Sequence, residues 1–342
     1  MNNDFPLVCI CIPTYNAAGT VRETLESILA QTYSNLVVHL SDNASTDETI
    51  EIVAAISDPR VHIHRHDVNV GGEGNFNRCI QLAEGKYTAI FHADDIYEPD
   101  MVAKQVAFLE ENTEAGAVFS EAYLIDDVGT TIGEIRLPQG LASPNGVYDF
   151  AAMFKSVLRH SNFFICPSFM VKTQIYRQEI KVWRGDMFGS GADLDVWLRI
   201  LQNHQIGHLP YKLMRYRISS NQFSARVRLE TAPAVLFKIV DYYLEQEENR
   251  MILNYVDFRN YKWLERRDRV MRSVNLVLTD RPKEAVALIN DIFSRDAIWA
   301  ALKSGRGLFT LFLGAYVRLM VSIGLYKVGK ISLAYMKKVT HK

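Results

Sequence analysis

The sequence has no surplus of charge of either sign. Its 342 residues carry 38 Lys and Arg against 39 Asp and Glu, so the chain lacks the basic footprint of a nucleic-acid-binding protein. Cysteine is scarce too. Cys9, Cys11, Cys79 and Cys166 offer no disulfide framework, and Cys9 and Cys11, two apart in an apolar run, read as small buried hydrophobes of a protein from a reducing compartment. The start, MNNDFPLVCICIP, has no basic segment ahead of a long apolar core; no signal peptide is expected, and the expected location is the cytoplasm. GxGxxG is missing after the first strand-like run, and GxxxxGKS/T is missing throughout. Both absences argue against a dinucleotide fold and a P-loop nucleotidase. No internal repeat is evident.

What is present is alternation. LVCICI (Leu7 to Ile12), LVVHL (Leu36 to Leu40), RVHIH (Arg60 to His64) and YTAIF (Tyr87 to Phe91) read as strands. Between them, Thr20 to Gln31, a segment opened by a Ser45/Glu48 capping box, and Glu73 to Ala83 have helical spacing. Buried strands alternating with helices predict an α/β fold with a mostly parallel central sheet and helices on both faces. Farther on, AGAVFS and AYLID read as neighbouring strands. Val128 to Gly146 reads as a long turn region or hairpin and a candidate mobile substrate loop, CPSFMVK and LPYKLMRYRI as strands, and SSNQFS as a turn. From about Arg228 long helical stretches take over, with Pro282 placed to start a helix. The expected division is a catalytic domain over 1–227, a helical appendage over 228–302 and a basic, apolar tail over 303–342.

Ligands of parallel sheets bind beyond the carboxyl ends of the strands. PTYN, SDNAS and HADD all fall at such ends. Asp94 and Asp95 admit two readings. They cap the helix announced by Glu98-Pro99, or, being mutually repulsive, they share a cation such as Mg2+ or Mn2+ that holds phosphates. SDNAS alone would serve as a strand-to-helix turn. Ser190 and Asp193 have capping-box spacing, and Asp195 suits a first helical turn. His62, His64 and His66 have no accompanying carboxylates and are expected at an edge or surface.

CIPTYNA, SDNASTDET, NVGGEGNFNRCIQLAEGKYTAIFHADD and GADLDVWLRI occur in an order that resembles the family 2 inverting glycosyltransferases of GT-A fold, the type used in bacterial polysaccharide and O-antigen assembly. The resemblance covers roughly residues 6 to 220. It implies a nucleoside-diphosphate sugar donor, UDP-sugar favoured, a divalent metal and a glycan acceptor. Pro13, Tyr15 and Asn16 would border the nucleoside, Asp42 would reach the base, and Asn43 would shape that loop. Asn77 would shape the next rim segment or brace it. His92 and Ala93 would line the nucleotide, and Asp94 would ligate the metal with Asp95 in support. Asp193 would be the general base, supported by Asp195, while Arg217 would reach the diphosphate or be an ordinary surface arginine. Three positions depart from the family pattern: His92 and Ala192 stand where acidic residues are usual, and Ser219 where histidine is. They are the best support for the rival reading, a non-catalytic nucleotide-sugar-binding or scaffold homologue.

After Asp296 the chain has no acidic residue, whereas Lys303, Arg306, Arg318, Lys327, Lys330, Lys337, Lys338 and Lys342 follow. Arg318 splits the apolar span into pieces too short for a charge-free membrane helix. The tail therefore reads as an interfacial element on anionic lipid, peripheral on the inner face of the cell membrane, or as a helix packed on the body or in a homo-oligomer. The first alternative favours a lipid-linked glycan acceptor; the second leaves a soluble or protein acceptor open.

Overall fold

The computed structural model describes residues 5–141, 146–219, 230–302 and 305–340. The chain forms two compact units, Met1–Met153 with Phe163–Ser219, and Phe154–Asn162 with Ser220–Lys342.

The first unit is α/β. Its elements are β1 (Val8–Thr14), α1 (Val21–Leu29), β2 (Leu36–Asp42), α2 (Thr49–Ala54), β3 (Val61–Arg65), α3 (Gly71–Leu82), β4 (Tyr87–Ile90), β5 (Ile96–Tyr97), α4 (Met101–Glu111), β6 (Ala115–Ile125), β7 (Thr131–Ile135) and β8 (Val147–Tyr148). The start of α5 (Phe150–His160) follows, then β9 (Met170–Lys172), α6 (Gly185–Phe188), α7 (Ala192–Asn203) and β10 (Gln205–Arg217). Among the described residues the sheet runs β3-β2-β1-β4-β9-β6-β10-β5, with β7 on β6 and β8 on β10. The pairs β1–β2, β2–β3, β1–β4 and β6–β10 are parallel.

Burial on both faces explains the unbroken apolar run of β1. Val8, Ile10 and Ile12 join the main core with Val38, Leu40, Tyr87 and Ala89. Cys9 and Cys11 are fully buried as well, and the Cys11 thiol donates to the Cys79 carbonyl of α3 at 3.4 Å. From β1 the chain builds outward through β2 and β3, then returns to lay β4 on the other side of β1. The carboxyl ends of β1 and β4 thus flank a point where strand order reverses, which is where a parallel sheet leaves a crevice.

Several local expectations change. AGAVFS and AYLID form one continuous strand, β6, rather than two neighbours. CPSFMVK begins as a 3-10 turn at Cys166–Ser168 before β9. The hairpin in Val128 to Gly146 is β6–β7; residues 142–145 of that loop, and residues 220–224 of SSNQFS, lie outside the described residues. Pro210 interrupts an otherwise strand-like run, and β10 absorbs it with a register shift between Leu209 and Lys212. No capping box opens α2, because the Ser45 hydroxyl accepts the Asn16 N–H at 2.9 Å instead.

The second unit is helical: α8 (Val235–Leu244), α9 (Glu247–Met251), α10 (Tyr255–Leu278), α11 (Pro282–Leu288), α12 (Arg295–Ala301), α13 (Gly305–Ser322) and α14 (Tyr326–Thr340). Asn254 and Asp257 cap α10 reciprocally, and Pro282 stands at the first turn of α11 as its missing N–H allows. Val270, Val274 and Val277 of α10 pack with Ile289, Ile292, Leu313, Val317 and Leu333. None of the described helices is long and apolar enough to cross a membrane.

Candidate active site

Three strand ends build one rim. At the end of β1, Asn16 adopts φ 48°, a left-handed conformation that asparagine tolerates. Its side-chain oxygen accepts the Thr46 N–H at 2.9 Å, so the loops after β1 and β2 are stitched together. Pro13 lies in β1 beside the buried Thr14, and Tyr15 leaves its ring half exposed. At the end of β2, Asp42 is fully buried. Its Oδ2 accepts the Ser45 N–H at 3.1 Å and lies 3.4 Å from Arg65 Nε, whereas its Oδ1 has no hydrogen-bond partner. A buried carboxylate oxygen without a donor costs on the order of 1–3 kcal/mol, so a ligand N–H is the natural complement. Asn43 turns the other way. It donates to Asn69 Oδ1 and the Gly71 carbonyl and accepts the Val70 N–H at 2.8 Å, tying β2 to the start of α3. Gly71 itself needs its lack of a Cβ at φ 77°.

The third strand end is the loop after β4. Tyr97 holds it from beneath, accepting the His92 N–H at 2.7 Å while its ring stacks on Phe91. Helix α1 pins two more groups: Thr20 Oγ1 donates to the Ala93 carbonyl at 2.8 Å and Thr24 Oγ1 to the Asp95 carbonyl at 2.7 Å. Among the described residues, His92, Asp94 and Asp95 are the one His, Cys, Asp or Glu group that offers donor atoms all within 4.8 Å of one another. Asp95 is fully buried, and burial, then the Asp94 charge, push its carboxyl well above the ordinary range against the opposing pull of Arg217. Its Oδ2 and the Nε2 of His92 are buried without hydrogen-bond partners. Burial lowers the His92 imidazole, with Asp94 opposing, so the ring is neutral and can ligate. Crowded oxygens and a neutral imidazole nitrogen fit a divalent cation.

Arg217 is neither a surface arginine nor aimed outward at a ligand. It is buried; its N–H donates to Asp95 Oδ1 at 2.8 Å and its Nε to the Asp94 carbonyl at 2.8 Å. Nη1 serves the Asp126 and Asp127 carbonyls, and Nη2 meets Glu23 at 2.6 Å. It is a brace, held in place because the bulged β10 ends beside the β4 loop. Arg217→Met strips three carbonyls of their donor and is expected to destabilise the protein by about 3 kcal/mol. Scanning calorimetry should show a melting temperature lower by roughly 8 °C, and a fall of less than about 2 °C would refute the brace.

Asp193 lies in the first turn of α7. The helix starts at Gly191 without a side-chain cap, so the capping-box reading of Ser190 and Asp193 is not realised. Asp195 has a different task. Fully buried, it accepts from Arg184 at 2.9 and 2.5 Å and lies 3.0 Å from Arg199 Nε. Arg199 in turn donates to the Ile180 and Val182 carbonyls, clamping the segment before α6 onto α7. Asn77 reaches the same segment, its Oδ1 accepting the Trp183 N–H at 2.6 Å. Rings complete the connection. His92 meets Phe76, Phe76 meets Trp183, Trp183 meets Trp197 of α7, and Trp197 stacks on Phe169 at 3.6 Å.

Two residues feel both acidic groups. The Cys166 thiol is pushed up by burial, then by Asp193 and Asp95; the Tyr216 phenol by burial, then by Asp95, Asp94, Cys166 and Asp193. The two carboxylate clusters thus act on the same pair of side chains, both of them protonated. Cys166, Phe76 and Trp183 carried no sequence signal that separated them from ordinary core residues. Cavities of about 440 and 530 Å³ in the helical unit are lined by acids and bases that pair with each other, such as Arg272 with Asp268 and Arg269 with Asp291.

Comparison with known proteins bears on the family and the fold. A glycosyltransferase of Haemophilus influenzae is 26% identical over 286 residues, covering 79% of this chain and 84% of its own. The Escherichia coli protein described as UDP-Glc:alpha-D-GlcNAc-diphosphoundecaprenol beta-1,3-glucosyltransferase is 35% identical over 104 residues, which is 30% of this chain and 41% of that protein. In fold, the Pyrobaculum calidifontis mannosyltransferase solved with GDP-Man and Mn2+ superimposes with a TM-score of 0.55 at 18% identity, covering 96% of this chain and 88% of its own. The family described as Glycosyl transferase family 2 matches residues 9–180, half of the chain. With that match over half of the chain and a GT-A type sheet, the protein belongs to glycosyl transferase family 2 and is a glycosyltransferase.

Proposed function

We propose that the protein moves a sugar, with inversion, from a nucleoside-diphosphate donor, UDP-sugar favoured, to a hydroxyl of a lipid-linked glycan. The observation that carries the reading is the rim at the strand-order reversal. There, the unpartnered Oδ1 of Asp42 lies at the end of β2 and the His92, Asp94 and Asp95 donor set in the loop after β4, the two strands flanking β1. Asp42 accepts the imide N–H of a pyrimidine, Tyr15 offers its exposed ring to the base, and Pro13, Asn16 and Asn43 shape the nucleoside edge. Asn77 supports the same edge through the Trp183 loop, and Ala93 lines the diphosphate path. Asp94, with His92 and Asp95, would hold the metal; the imidazole nitrogen favours Mn2+ over Mg2+. When bound, the ion supplies positive charge to the leaving diphosphate. Asp193 removes the acceptor hydroxyl's proton from the opposite side, and Tyr216, kept protonated, offers a hydrogen bond between the two carboxylate groups.

We assign this chemistry to residues 1–227 and packing to 228–302. The acceptor named for the Escherichia coli relative, a sugar on a diphospholipid, supports a lipid-linked acceptor for this chain, used at the inner face of the cell membrane. Titration calorimetry with UDP-, dTDP- and GDP-sugars, each with and without Mn2+, tests the donor reading. UDP-sugar is expected to bind at least about tenfold more tightly with the metal, the scale of a lost ligand interaction. Preference for GDP-sugar would overturn the pyrimidine reading, and failure of every donor to bind would overturn the site.

A further inference from the structure

The helical unit carries apolar surface that its own core does not use. Along α13, Leu308, Phe312 and Leu319 are exposed, and Ile323, in the turn that follows, is exposed as well. The spacing of four and seven residues places the three helical side chains on one stripe, about 16 Å long at 1.5 Å per residue. The opposite side of α13 supplies Leu313 and Val317 to the core, so the helix is apolar on two sides and only one is buried. Helix α14 repeats the arrangement. Leu333 is buried, whereas Val328, Ile331 and Tyr335 are exposed, Ile331 to 82%. The two helices are joined by Tyr316 Oη and Ser332 Oγ at 2.7 Å and by Gly329 against Met320.

Charge identifies the occupant. Residues 297–342 contain no Asp or Glu and eight Lys or Arg. A second copy meeting this surface face to face would set basic segment against basic segment, which like-charge repulsion disfavours. An anionic lipid surface complements both properties at once: acyl chains take up the apolar stripe, and headgroup phosphates take up the excess basic charge, Lys330 excepted because it pairs with Asp280 at 2.7 Å. Since no described helix can span a bilayer, the contact lies in the interface plane. We infer that the exposed stripes of α13 and α14 form a docking surface for anionic membrane. The inference does not rest on the proposed transfer reaction, because lipid binding and turnover are read separately.

The test compares the full chain with the double variant Phe312→Glu/Leu319→Glu. Both are sedimented with vesicles of phosphatidylcholine alone and of phosphatidylcholine with about one third phosphatidylglycerol, in low and high salt. The wild type is expected to sediment with the anionic vesicles and to lose most of that binding in high salt or on neutral vesicles. The variant should bind at least about tenfold less with an unchanged melting temperature and unchanged donor hydrolysis. Equal sedimentation of the two proteins, or none by the wild type, overturns the inference. So does light scattering that shows a dimer which the variant dissociates, since the face would then belong to a second copy. A variant that melts early is replaced by Phe312→Ser/Leu319→Ser, judged by the same outcomes.

Discussion

Asp193→Asn is expected to lower sugar transfer by a factor on the order of 100 or more while donor affinity stays within about twofold. The substitution keeps size and removes the ability to take a proton. Asp193 lies in the first turn of α7, where the helix dipole favours a negative charge. The helix beneath it is fixed by the Asp195, Arg184 and Arg199 pairs, so the loss is chemical rather than architectural. Steady-state kinetics with donor titration distinguish the cases: kcat falls while the donor KM holds. Unchanged turnover would assign proton removal to another group.

Asp94→Ala is expected to have the larger effect, a fall of at least about 1000-fold in metal-dependent donor turnover, the scale of losing charge stabilisation on a leaving group. The fold should survive. The loop's backbone is held by Tyr97, Thr20, Thr24 and Arg217, and none of these contacts uses the Asp94 side chain. Mn2+ titration in the presence of UDP reads the ligand role directly, apart from activity. Retention of Mn2+ binding with lost turnover would move the metal to other residues; retention of both would remove Asp94 from the site altogether.

The half of the chain built on periodic burial was legible from its residues. An apolar run with helical segments on either side has few ways to be buried, and β1 to β4 fall where hydrophobic pattern puts them. Ends of elements were less so, because hydrogen bonding decides them. Ser45 and Glu48 have a capping pattern, yet the serine is claimed by Asn16, 29 residues away. Arg217 shows the same limit at the site. Nothing local distinguishes it from a solvated arginine; its burial follows from a bulge at Pro210 and the placing of β10 beside the β4 loop. Asp42, Asp94 and Asp193 could be singled out through motif order, whereas Cys166 gained significance only from the carboxylates that act on it in the fold.

The contact line from His92 through Phe76 and Trp183 to Trp197 has a consequence for how such an enzyme can diversify. Rings in direct contact transmit displacement, so a change of volume at Phe76 or Trp183 shifts the donor-side loop and the helix bearing Asp193 together. On the donor and acceptor sides proposed above, selectivity for the incoming sugar and for its destination would be coupled through this line of rings.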